Sequence, residues 1–376
     1  MIYLDYSSTT PLDPRVLEAM MPYLKDHHGN PSSIHQFGQR TRRAIDDARN
    51  KVIDLIGAFS VHEVIFTGGG TESCNAAIFG AAFAQEDKGK HIVVSAFEHP
   101  AVLEPARYLR DNFGFELTEV SPNADGFVTV EAVEAALRED TVLVSVMMAN
   151  NEVGTIQPVI EMAALCRERS IFFHTDACQV PGYASIRVDE IKADLLTLNG
   201  SKIYGPKGVG LLYVREGVKI TPLVHGGGQE FRMRGGTENT ANIVGFAKAL
   251  ELVEDETEKV GALRDQLLDE LLELPGVSLN GARSPRLANN INIHVKGVSG
   301  ETLVMRLDME GLAVSSGAAC SAGKIEASPV LLAMGQDLEM AAESIRISLG
   351  RETTASEITE ASKILKRVIT ELSKQD

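Results

Sequence analysis

Positive charge is in short supply in this chain. Its 376 residues carry 36 Lys and Arg against 52 Asp and Glu, a formal net charge of −16. Such a surface repels phosphate backbones, so no direct nucleic-acid partner is expected. Long apolar runs are missing as well. None approaches the roughly 20 residues that a membrane-spanning helix needs, so no membrane partner is expected either. At the amino terminus Asp5 interrupts "MIYLDYSSTT" early, and no basic segment precedes an apolar one. That is not a secretory leader pattern, and a cytoplasmic chain is the expectation. Cysteine is scarce and shows no paired spacing: Cys74, Cys166, Cys178 and Cys320 form no C-x-x-C and no His/Cys cluster of zinc type. Free thiols in a reducing compartment follow, and no resident metal site is expected. There is no internal repeat and no low-complexity tract.

The composition, 44% hydrophobic and 23% charged, suits a large core with a smaller second unit. From about residue 60 to 215, short apolar runs recur: "EVIFT", "HIVVSA", "TVLVSVMM", "SIFFHTD", "LLTL" and "GVGLLYV". Helical patterns separate most of them. Continuous apolar strands alternating with helices predict an α/β fold with a mostly parallel sheet covered on both faces. A glycine-rich loop follows over 220–240, then a long helical stretch to about residue 274. Beyond it "ANNINIHV", "LAVSS" and "ESIRISLG" read as strands of a smaller α+β unit. The segment from Thr354 reads as a helix with Thr354 and Glu357 as its capping box. The amino-terminal "YLDYSSTTP" has no helical period and is expected to lie near the site as an arm.

In parallel sheets ligands gather at the carboxyl ends of the strands. There the sequence places Gly68-Gly69-Gly70-Thr71, then His99, Asn150-Asn151-Glu152, Asp176 with Gln179, and Asn199, Ser201 and Lys202. A glycine turn between strand and helix brings backbone N–H groups and the positive end of a helix to an anion, and Thr71 adds a hydroxyl. It fits neither the P-loop pattern nor a dinucleotide fingerprint. By itself it is as readily a plain tight turn; with the other strand ends it becomes a phosphate cup. Lys202 stands beyond a buried run, framed by Gly200 and Gly205. A merely solvated lysine needs no such frame, whereas a partly desolvated one has a lowered pKa and can form a Schiff base. A cofactor aldehyde with a phosphate handle, pyridoxal 5′-phosphate, suits both features. Asp176 could then keep the pyridine nitrogen protonated, its plainer alternative being a helix cap. His99 could stack on the ring or relay protons, although a lone histidine is more often structural. Cys320 lies among small residues in "LAVSSGAACSAGK", a setting that suits an accessible nucleophile. Cys166, inside a periodic apolar run, reads as buried.

Taken in order, "YLDYSSTTP", "GNPSSIHQFG", "FTGGGTES", "EHPAV", "NNEVGTIQP", "HTDACQ", "KIYGPKG", "HGGGQE", "RGGTEN", "SSGAACS" and "SIRISLGR" run through essentially the whole chain. With these motifs the sequence resembles the cysteine desulfurases of the iron–sulfur cluster (NifS/IscS-like) type, within the class V aminotransferase-like pyridoxal-phosphate enzymes. The resemblance implies a fold-type I transferase. Its large cofactor-binding domain would span 13–256, and a small α+β domain, 1–12 with 257–376, would carry the catalytic cysteine loop. Lys202 would hold the cofactor. Gly70, Thr71, Asn199 and Ser201 would contact its phosphate, with Thr237 of the partner subunit of a homodimer. His99 would stack on the ring and move protons, Asp176 would pair with the pyridine nitrogen and Gln179 with the phenolic oxygen. Asn151 and Arg346 would hold the carboxylate of L-cysteine. Cys320 would accept the sulfur as a persulfide, leaving L-alanine. It would then pass the sulfur to an acceptor such as an iron–sulfur scaffold or a tRNA-thiolating enzyme, with at most a transient iron–sulfur contact at Cys320.

The sequence departs from the family in places. Asn199-Gly200-Ser201-Lys202 stands where Ser-x-His-Lys is usual, and Cys74 stands where Asp or Asn is common. Two other readings are a different pyridoxal-phosphate enzyme of this fold, such as a selenocysteine lyase or an aminotransferase, and a non-catalytic protein on the same fold. Cys320 speaks against a transaminase, which has no need of it. Joint retention of Lys202, Asp176, His99 and Cys320 speaks against the non-catalytic protein.

Overall fold

In the computed structural model, which describes residues 1–316 and 327–374, the strands fall into three sheets. They are β1 (Ile2–Tyr3), β2 (Val64–Thr67), β3 (His91–Ser95), β4 (Glu116–Val120), β5 (Thr141–Ser145), β6 (Phe172–Asp176), β7 (Leu195–Asn199), β8 (Gly210–Val214), β9 (Val277–Leu279), β10 (Asn290–Val295), β11 (Leu312–Ala313) and β12 (Ser344–Ser348).

The large sheet runs in the order β2-β8-β7-β6-β5-β3-β4. From β7 to β4 all neighbours are parallel, whereas β8 is antiparallel to both β7 and β2. The sheet is thus mostly parallel, as the apolar runs predict. Along each buried strand successive side chains enter opposite cores. Val93, Leu196 and Leu211 pack with Phe173 and Phe246 on one face. Ile92, Val94, Leu195 and Leu212 pack on the other against Ala77, Ile78 and Ala81 of helix Gly70–Gln85. Burial on both faces is why these strands read as unbroken apolar runs. Because β8 turns straight back on β7, the connection between them is short, and it carries Lys202 in a single 3-10 turn, Gly200–Lys202.

The second sheet, β12-β10-β9, is antiparallel. Ile291, Ile293, Ile345 and Ile347 form a separate core with Val260, Leu268, Leu303 and Leu365 from the helices that cover it. The last of these helices, Ala355–Leu372, begins with the expected capping box between Thr354 and Glu357. The amino-terminal arm joins the two sheets. β1 pairs in parallel with β11, and Asp5 bridges to Ser348. Leu4 enters the second core, and the next residues reach Lys202 just beyond the carboxyl end of β7.

Two expectations need correction. The long helical stretch to about 274 is two helices, Thr240–Glu251 and Thr257–Leu272, and in the break between them Asp255 accepts a hydrogen bond from the Thr257 amide at 2.9 Å. The large sheet also has an edge strand, β4, that the apolar runs do not announce: "ELTEV" is largely half-exposed and mostly polar.

Candidate active site

The carboxyl ends of the parallel strands open into a cleft of about 410 Å³. His99, Gly70, Thr71, Asn151, Asp176, Gln179, Asn199, Lys202 and Arg346 all line it. Ser201 lines an adjoining open cavity of about 700 Å³, which shares Ser8, Gly70, Thr71 and Asn199 with the cleft. Of the expected site residues, Thr237 lies in an exposed stretch and does not line its own chain's cleft. Cys320 lies outside the described residues.

Each side chain is held by its local structure. Asn150 is buried, and its Oδ1 accepts from the amides of Glu152 and Val153, which shapes the turn that presents Asn151. His99 begins helix Pro100–Phe113: its Nδ1 accepts from the Ala101 amide at 3.1 Å, so the neutral ring carries its proton on Nε2. Burial pushes the His99 pKa down, with the Lys202 charge adding to it and Asp176 opposing. Asp176 ends β6 and is 8% exposed. No helix follows it directly; its Oδ1 accepts from the Cys178 amide at 2.9 Å, and its Oδ2 meets the Cys74 thiol at 3.6 Å. Cys74, Cys166 and Cys178 are all buried. Lys202 donates from Nζ to the Ser7 carbonyl at 2.8 Å and to the Ser8 carbonyl, both in the arm. Burial lowers its pKa, and the nearby Arg346 charge lowers it further. Gln179 also reaches the Ser7 carbonyl, at 3.0 Å.

These residues fit pyridoxal 5′-phosphate. Helix Gly70–Gln85 starts without a side-chain cap, and Gly69 before it has φ +146°, where a Cβ would meet nothing within 4 Å. The first amides of that helix and the open space beside them form a cradle for a dianion. Among the described residues Asp176 Oδ2 meets a weak thiol donor, which leaves it for a protonated ring nitrogen. An amine with a lowered pKa stands in the same cleft.

Three acids in or beside the cleft have no role assigned from the sequence. Glu98 is fully buried and accepts from the Ser95 hydroxyl at 2.6 Å and from the Met147 amide, while its Oε2 has no partner among the described residues. Burial pushes its carboxyl up to about 8. Glu152 takes a hydrogen bond from Ser328 and is raised by burial to about 7. Asp5 pairs with Arg346 at 2.8 Å. The adjacency of Glu98 to His99, and the acid within the non-periodic arm, were the available hints.

Comparison with known proteins identifies the family. The aminotransferase class-V family model matches residues 2–360. A cysteine desulfurase IscS of Dictyoglomus turgidum is 50% identical over 376 residues, covering 99% of this chain and 95% of that protein. Among solved structures, a NifS-like protein superposes with a TM-score of 0.91 at 36% identity, covering 99% of both chains. SspA in complex with cysteine superposes with a TM-score of 0.83 at 35% identity, covering 93% of this chain and 99% of the other. With near-complete coverage at these identities, the chain belongs to the aminotransferase class-V family and, within it, to the cysteine desulfurases.

Proposed function

We propose that this protein removes sulfur from L-cysteine with pyridoxal 5′-phosphate, releasing L-alanine and keeping the sulfur as a persulfide on Cys320. One observation carries the reading: an amine, a buried carboxylate, an imidazole and an arginine meet in one cleft beside an uncapped helix start. That the related SspA binds cysteine supports the choice of substrate.

When bound, the cofactor supplies an aldehyde for the Lys202 amine and an electron-withdrawing ring that spreads negative charge from the substrate's α-carbon. The Gly70 and Thr71 amides, the Thr71 hydroxyl, Asn199 and Ser201 would hold its phosphate. Asp176 would keep a proton on the pyridine nitrogen, Gln179 would donate to the phenolic oxygen, and His99 would cover the ring and move protons. Arg346 and Asn151 would hold the substrate carboxylate; a guanidinium fork suits a carboxylate. Lys202, its pKa lowered by burial, then takes the α-proton. The Cys320 thiolate forms a bond to the substrate sulfur as the substrate's Cβ–S bond breaks. L-cysteine and a protein thiol become L-alanine and a protein persulfide, so no outside oxidant or reductant is required.

The chain would act as a cytoplasmic homodimer with two units, 13–256 and 1–12 with 257–376. Thr237 supports the dimer: it is exposed, and its neighbour Glu238 pairs at 2.9 Å with Arg42 of helix Gln36–Ile56, where Phe37 in the first turn and Ile34 just before the helix are exposed. Large exposed apolar residues at that position suit a subunit contact through which Thr237 reaches the other cleft. The sulfur acceptor would be a scaffold for iron–sulfur clusters or a tRNA-thiolating enzyme. The decisive experiment incubates the holoenzyme with L-cysteine, quantifies alanine and maps added sulfur by peptide mass. Alanine should appear with one extra sulfur atom on Cys320. Cys320→Ala should lose sulfide release while the cofactor's visible absorbance persists; unchanged release in that variant would sink the assignment.

A further inference from the structure

Arg346 is held in place by a residue with no assigned part in the chemistry. It lies on β12 with its side chain 5% exposed. Nη1 donates to the Asn151 carbonyl at 3.1 Å, and Nη2 donates to Asp5 Oδ1 at 2.8 Å and to the Ser8 hydroxyl at 2.7 Å. Nε is buried and has no partner among the described residues, and neither has Asn151 Oδ1. The guanidinium is therefore fastened through both of its Nη groups, with a donor left over beside an uncommitted amide side chain.

We propose that Asp5 is the positioning residue of Arg346: its carboxylate, delivered by the amino-terminal arm, fixes the guanidinium so that it can receive the substrate's carboxylate. The inference rests on the cysteine desulfurase reading. Asp5 is itself fixed. β1 is paired with β11, the Ser348 amide donates to the Leu4 carbonyl at 2.8 Å, and the Tyr3 hydroxyl donates to the Asp5 carbonyl at 3.0 Å. The same arm supplies the Ser7 and Ser8 carbonyls to Lys202. Of the three groups bonded to Arg346, only Asp5 is charged; the others are a carbonyl and a hydroxyl. Without Asp5 the buried guanidinium would lose its charged hydrogen-bond partner, leaving Glu152 as the carboxylate that feels its charge, on a long side chain that can turn to other partners. Two effects oppose each other. Removing Asp5 raises the positive potential felt by an incoming carboxylate, but it also frees the fork from its orientation. Carboxylate recognition by arginine is directional, and binding gains from donors set in advance. Orientation therefore wins.

The test uses the holoenzyme and its Asp5→Ala and Asp5→Asn variants, with L-cysteine and with cysteamine, which lacks the carboxylate. Asp5→Ala should raise KM for L-cysteine about tenfold, the size expected for losing a hydrogen bond to a charged group, with kcat little changed. Asp5→Asn, which keeps an acceptor, should fall between, and it carries the test if the alanine variant does not fold. Spectroscopic binding of cysteamine should be equal in all three proteins. A KM that stays level or drops, or a cysteamine affinity that falls in step with that of L-cysteine, would overturn the assignment. A second readout does not depend on turnover: phenylglyoxal should modify Arg346 faster in Asp5→Ala, as mapped by peptide mass, and an unchanged rate would also overturn it. If the wild-type protein makes no alanine from L-cysteine, the activity reading fails, and the phenylglyoxal rate still decides the place of Asp5.

Discussion

Glu98 sits inside the protein with one carboxylate oxygen satisfied by Ser95 and Met147 and the other without a partner among the described residues. Its folded pKa, about 8, lies above its ordinary 4.5 because burial penalises the charged form. For an acid shifted in that direction, the neutral form stabilises the fold fully below the ordinary value, and that contribution is lost as pH rises through the folded value. Urea unfolding of the cofactor-free protein should therefore show stability declining between about pH 4.5 and 8. Glu98→Gln should flatten part of that decline, and an identical slope in the variant would refute the account. Glu152, raised to about 7, contributes in the same direction over a narrower window. At this scale much of the cleft was legible. Lys202, Asp176, His99 and Asn151 each follow an apolar run, and they converge because parallel strands end on one side. Asp5 was not legible as a partner of Arg346, since 341 residues separate the two and no local pattern encodes that contact.

Among the elements, the glycine-rich loop over 220–240 is fastened most deeply by the Glu230 carboxylate. Arg49, on helix Gln36–Ile56, meets Glu230 with a two-pronged contact at 2.9 and 2.7 Å, and Glu230 also accepts from the Phe66 amide in β2 at 2.9 Å. Both side chains are almost wholly buried, and the guanidinium stacks between the rings of Phe66 and Phe231. Glu230→Ala should cost about 3–5 kcal/mol, because it leaves a buried arginine charge without its partner; denaturant titration would measure this. A loss of a few tenths of a kcal/mol would mean that water or another acceptor replaces the carboxylate. Helix Ala355–Leu372 and the inner strands could be anticipated, since periodicity and a capping box mark the one and unbroken Val, Ile and Leu runs mark the others. The edge strand β4 could not, because a half-covered edge strand needs no continuous apolar run: only Leu117 and Val120 of it reach the two cores. The break after Glu251 escaped notice because the helices before and after it both keep an apolar face.

For the molecule as a whole, the separate cores and the exposed position of Thr237 bear on assembly. Sedimentation velocity should find a species of twice the 40.6 kDa chain. Thr237→Ala should weaken cofactor binding in that species, through the subunit opposite the altered one. A stable monomer that binds the cofactor as tightly as the wild type would rule out the shared site. No helix among the described residues is long and apolar enough to cross a membrane.

The pairing of residue 2 with residue 312, and of Asp5 with Ser348, also orders events during synthesis. Lys202 and the strands around it are made first, and the arm can already bond to Ser201 and Tyr204, but its pairings with β11 and Ser348, and that of Asp5 with Arg346, wait until residue 348 has been translated. The large sheet can begin to fold on the nascent chain, yet the pocket is closed only by the reunion of the two chain ends. Loading with vitamin B6 would thereby come late in biogenesis, and a chain truncated before its final strand is expected to fold much of its mass without acquiring a finished catalytic centre.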